Sequence, residues 1–126
     1  MNAQDRSQSY RLAEGEKKLT YEPDTKIPNA GTFTLNREDH TLGNLLRMQL
    51  LQDSSVRFAG YQHPHPLVHH LLVKIQTTDP PANPIQAMST SIEDLSSEFD
   101  FLEQRFKEDI DRFKQDRQSG AGSMQF

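Results

Sequence analysis

No cysteine occurs in this 126-residue sequence, which excludes disulfides, thiolate zinc sites, iron–sulfur clusters and cysteine nucleophiles. Apolar residues are scarce, at 33% of the chain. Leucine, isoleucine, valine and phenylalanine together number 28, just above the roughly one-fifth share below which chains stay disordered. A thin core on a well-patterned chain suggests that a partner completes the fold. The six glycines are scattered, so no loop can cradle phosphates. No apolar run approaches the ~18 residues of a membrane span, and no membrane association is expected. The polar opening, Met1 to Arg6, is not that of a secretory leader. An excess of basic charge is missing too. The net charge is -4, so sequence-specific nucleic-acid binding is not expected.

What is present is periodic. Residues 1–16 are polar with sparse anchors at Tyr10 and Leu12, and read as an irregular arm, more often a loosely held terminus than a docking segment. Residues 17–22 alternate, with Leu19 and Tyr21 on one face. Ala30 to Asn36 alternates with Phe33 and Leu35, Val56 to Tyr61 with Val56, Phe58 and Gly60, and the stretch ending near Thr77 with Leu71, Val73 and Ile75. A period of two predicts four strands. Residues 39–52 change period. Leu42, Leu45 and Leu46 mark a helical face, Met48, Leu50 and Leu51 extend it around the circumference, and Asp39 or Thr41 can cap the start. Gly43 inside this helix costs up to ~1 kcal/mol against alanine, which points to a close backbone approach.

Asn83, Pro84 and Gln86 form a helix start. In the helix that follows, Ile85, Ile92, Phe99, Phe106 and Phe113 recur every seventh residue. Met88, Leu95 and Leu102 fill a second position, Asp109 interrupts it, and Phe101 and Ile110 drift from it. A helix over 84–117 is ~50 Å long, against a diameter of roughly 36 Å for a domain of this size. Its stripe therefore needs cover from another chain. The glycines at 120 and 122 end it, and residues 119–126 read as a flexible tail beyond a domain of 1–118. The expected fold is α+β, in the order β-β-α-β-β-α. It consists of a four-stranded, mostly antiparallel sheet with two helices on one face, the C-terminal helix being long and partner-binding.

Candidate chemistry is thin. His63, His65, His69 and His70 cluster, but Pro64 and Pro66 splay the first two, and His69 and His70 point to opposite faces of a strand. No acidic residue lies between 54 and 78. No metal, cofactor or catalytic residue is expected. Glu38 and Asp39 beside His40 and Thr41 are explained by helix capping.

The segment Glu38-Asp39-His40-Thr41-Leu42-Gly43-Asn44-Leu45-Leu46-Arg47, followed by Leu50-Leu51, resembles the signature of the small alpha-like subunits of cellular RNA polymerases. The flanking words Gly15-Glu16-Lys17-Lys18, Pro28-Asn29-Ala30, Phe58-Ala59-Gly60-Tyr61 and Gln76-Thr77-Thr78 extend the resemblance to the polymerase II kind, over residues 1 to about 117. It implies a nuclear, non-catalytic assembly subunit. Such a subunit pairs with the larger alpha-like third subunit, contacts the second-largest subunit and joins the rest of the polymerase. By matching positions it implies dimer contacts at Leu42, Leu45, Leu46, Ile92, Leu95, Phe99, Leu102 and Phe106, close approach at Gly43, and a polar edge at His40, Asn44 and Arg47. The alternatives are a homodimer built on the long helix, the alpha-like subunit of polymerases I and III, and a small enzyme or metal-binding protein using the histidine loop.

Overall fold

In a computed structural model, residues 5–120 are described. They form β1 (Leu19–Pro23), β2 (Ala30–Asn36), α1 (His40–Leu51), β3 (Val56–Gln62), β4 (His70–Thr77) and α2 (Pro84–Gly120), after a single 3-10 turn at Arg6–Ser9. The four strands make one antiparallel sheet in the order β1-β2-β4-β3. The chain divides into two compact units, one up to Ile92 and one from Glu93 onward.

The first unit holds the sheet. Alternation sets its buried face, where Phe33 and Leu35 of β2 stand opposite Val73 and Leu71 of β4. Helix α1 packs on β3 and β4, and its Leu46 and Leu50 are buried. The first turns of α2 contribute the buried Pro84, Ala87, Met88 and Ser91. Tyr21 stacks on Phe33 with ring centroids 4.6 Å apart, and burial raises the pKa of its phenol.

Local chemistry explains the boundaries. Asp24 accepts the backbone N–H groups of Lys26 and Ile27 at 2.8 and 3.1 Å, which turns β1 into β2. Asn29 takes the left-handed conformation, φ 57°, that asparagine tolerates. Asp39 caps α1 by accepting the Thr41 N–H at 2.9 Å, and Asn83 caps α2 by accepting the Gln86 N–H at 2.8 Å.

Three details differ from the sequence reading. Strand β3 carries a bulge between Val56 and Phe58. It shifts the alternation, so Ala59, opposite Ile75, is buried, whereas Phe58 is 49% exposed. The arm is tied down over its described part, because Arg37 reaches back to it. Its guanidinium donates to both Glu16 carboxylate oxygens, at 3.2 and 3.0 Å, and to the Gln8 carbonyl at 2.6 Å. Helix α2 continues through Gly120, so Ser119 and Gly120 are helical rather than tail. The remaining tail residues 121–126, like residues 1–4 of the arm, lie outside the described residues.

Candidate interaction surfaces

The start of α1 gathers a polar cluster. The cap on Asp39 fixes the first turn. The Thr41 backbone N–H and hydroxyl hold its carboxyl below the usual carboxylate range, and His40 and His63 add to that. His40 Nδ1 is hydrogen-bonded to the Tyr61 hydroxyl at 2.9 Å. The His40 ring also meets the His63 ring edge-on, with centroids 5.5 Å apart. One turn further along, the Arg47 guanidinium stands 5.3 Å from the Tyr61 ring centroid and donates to Asn44 Oδ1 at 2.6 Å. Of the three residues expected to form a polar edge, His40 and Arg47 thus meet Tyr61, and Asn44 joins them through Arg47. Tyr61 was not singled out for that role. Its only signal was its place in the word Phe58-Ala59-Gly60-Tyr61.

The leucines sort differently from the expectation. Leu46 is 2% exposed, so its side chain belongs to the core of its own unit. Gly43 is buried as well, and the close approach it permits is internal. A Cβ there would stand 2.6 Å from Tyr61 Cδ2 and 3.0 Å from Leu71 Cδ1. Leu42 and Leu45 are half-buried. The apolar residues that α1 does expose are Met48 and Leu51, in line with Thr41 and Asn44 at spacings of three and four. The all-round apolar composition of the helix hid which leucines point inward.

In the second unit the long helix carries the heptad stripe. Leu95 is 7% exposed and so is buried within this chain. Every residue from 96 to 119 is exposed. The stripe Phe99, Leu102, Phe106, Ile110 and Phe113 therefore lies open, and Ile92 at the end of the first unit is exposed in the same register. Covering such a side chain stabilises by about 1.5–3 kcal/mol. Lys107 pairs with Glu103 at 3.0 Å, and Arg112 with Asp109 at 3.9 Å. Both pairs are solvated and contribute little. Phe101, 64% exposed, lies about 200° around the helix from Phe99 and is not part of the stripe.

The histidine loop is built on local bonds. His63 Nε2 donates to the Val68 carbonyl at 2.7 Å, and His65 Nδ1 accepts the Leu67 N–H at 3.0 Å. Among the described residues, no group of three or more histidine or acidic side chains is arranged to hold a metal.

Comparison with known proteins places these surfaces in context. The family described as the RNA polymerase Rpb3/Rpb11 dimerisation domain matches residues 30–105. That match spans the α1 cluster and ends one residue before Phe106. A Dictyostelium discoideum protein named DNA-directed RNA polymerase II subunit rpb11 is 49% identical over 112 residues, covering 89% of this chain and 92% of that protein. The Schizosaccharomyces pombe protein named DNA-directed RNA polymerase II subunit RPB11 is 53% identical over 72 residues, 56% of this chain and 58% of that one. The crystal structure of DNA-directed RNA polymerase subunit L from Thermoplasma acidophilum shares the fold. Its TM-score is 0.64 at 22% identity, with 79% of this chain and 97% of that chain covered.

Proposed function

The chain belongs to the RNA polymerase Rpb3/Rpb11 dimerisation family, and from that premise we propose that it is the small alpha-like assembly subunit of DNA-directed RNA polymerase II, working in the nucleus. It pairs with the larger alpha-like third subunit, and the pair forms the platform on which the second-largest subunit docks. Its role is structural, and the catalytic residues of the polymerase belong to other chains. The polymerase II names of relatives at 49% and 53% identity favour this enzyme over polymerases I and III.

The observation that carries the reading is the open stripe of Phe99, Leu102, Phe106, Ile110 and Phe113 on a chain of a dimerisation family. A row of exposed aromatic and aliphatic side chains held in one helical register is a surface made to be covered. On α1, Met48 and Leu51 offer a second apolar row, bordered by the His40, Asn44 and Arg47 edge.

The test is recovery of the larger alpha-like chain with tagged variants. Phe99→Asp and Phe106→Asp are expected to lose it. Phe101→Ser removes an equally exposed aromatic residue from the opposite side of the same helix and is expected to retain it. Normal recovery with both aspartate variants would refute the assignment of the stripe.

A further inference from the structure

Strand β3 is an edge strand, paired only with β4. Its outer ladder of N–H and C=O groups meets no other strand among the described residues. The opposite edge is guarded. β1 is five residues long, ends in Pro23 and follows two lysines. β3 has seven residues with neither proline nor lysine. The bulge at Arg57 leaves Phe58–Gln62 as its regular stretch.

Two more features sit at this edge. On the sheet face away from α1, an open cleft of about 280 Å³ is lined by Phe58, Gly60, Leu72 and Lys74 among others. Phe58 and Leu72 are its apolar part, beside Thr32, Gln62 and Lys74, and Phe58 is 49% exposed. The charge is also of one sign. The whole hairpin from residue 54 to 78 has no acidic residue, while it carries Lys74 and the exposed Arg57, on a chain whose net charge is -4. Lys74 has a partner, Asp24, at 3.6 Å, and remains 43% exposed. Among the described residues, Arg57 forms no ion pair.

We infer that the outer edge of β3 is a docking site for an extended acidic segment of another polypeptide, which adds to the sheet as a fifth strand, places an apolar side chain in the Phe58–Leu72 cleft and sets a carboxylate against Arg57. A ladder edge offers donors and acceptors in alternation, and only a polypeptide strand matches both. A nucleic-acid backbone offers phosphate acceptors alone. A second copy of the chain would bring basic hairpin against basic hairpin, a like-charge arrangement that disfavours association. This site is separate from the α2 stripe and stands whether or not the assembly reading holds.

The experiment uses the purified full-length chain and a labelled, N-acetylated heptapeptide alternating glutamate and valine. A peptide with lysine in place of glutamate and a short oligouridylate are the competing probes. Binding is read by anisotropy, and the site by amide hydrogen exchange over Phe58–Gln62. The expected result is binding of the acidic peptide alone, with slowed exchange in β3. Affinity should weaken with added salt and fall about tenfold in Arg57→Glu, whose side chain is exposed and whose fold is therefore kept. Phe58→Ser should weaken it as well. Absence of binding by the acidic peptide would overturn the inference. So would indifference to Arg57→Glu, equal protection by oligouridylate, or protection of β3 that rises with protein concentration without peptide.

Discussion

Gly43→Ala separates two physical accounts of α1. On helix propensity alone, alanine stabilises an interior glycine position by about 1 kcal/mol. The packing says otherwise. The new methyl would stand 2.6 Å from Tyr61 Cδ2, 2.9 Å from Tyr61 Cε2 and 3.0 Å from Leu71 Cδ1. Leu71 is fully buried and has nowhere to go. Tyr61 can swing outward only by giving up the His40 hydrogen bond at 2.9 Å and the Arg47 contact at 5.3 Å. Overpacking costs about 1–3 kcal/mol and a lost hydrogen bond about 1 kcal/mol. After the propensity gain, the net loss is about 1–3 kcal/mol. At about 2 cal/mol/K of unfolding entropy per residue, that is a fall in Tm of roughly 4–12 °C for a chain of this length. Gly60→Ala is the control. Its Cβ would meet only Phe58 Cζ at 3.1 Å, the free end of an exposed side chain, so Tm should move by less than about 2 °C. Thermal melts of both variants decide the matter. A rise of about 4 °C in Gly43→Ala, the bare propensity effect, would mean that α1 does not sit this close to β3 and β4.

Asp39 has a depressed folded pKa, so its contribution is complete above the ordinary carboxylate range and is lost as pH falls through the folded value. Asp39→Ala should cost about 1 kcal/mol at neutral pH and less in acid, as urea melts at several pH values would record. Glu16, lowered mainly by its hydrogen bonds to Arg37, and Asp24, lowered by the Lys26 and Ile27 N–H groups, have the same sign, so the chain should lose stability on acidification. Arg37→Ala should release the described part of the arm. Hydrogen exchange at Gln8–Glu16 would then quicken while exchange in β4 stays slow. Leu50→Ala removes a fully buried side chain from α1 and should cost about 2–5 kcal/mol in denaturant melts.

Much of this architecture is legible in the order of residues, and the exceptions have physical causes. Strands β2 and β4 alternate cleanly because one face is buried throughout. The caps at Asp39 and Asn83 act within three residues and so leave a local trace. The inward face of α1 leaves none. Leucines surround the helix, and only the contact of Gly43 with Tyr61 and Leu71 sets which ones turn inward. In β3 one bulged residue inverts the alternation and exchanges Phe58 for Ala59. The anchoring of the arm by Arg37 joins residues 21 positions apart, beyond any local pattern. On α2 the heptad gives Leu95 and Leu102 the same position, yet one is buried and the other 63% exposed. A periodic stripe looks the same whichever chain covers it, so the place where burial stops had to come from the fold.

On the proposed function, a different and larger alpha-like chain covers the open α2 stripe. Native mass spectrometry of the tagged chain, purified gently from its own cells, reads that pairing without dissociating it. The expected species is a one-to-one complex with that larger chain, found alone and within assemblies that contain the two large polymerase subunits. A homodimer or a lone monomer as the dominant species would contradict it.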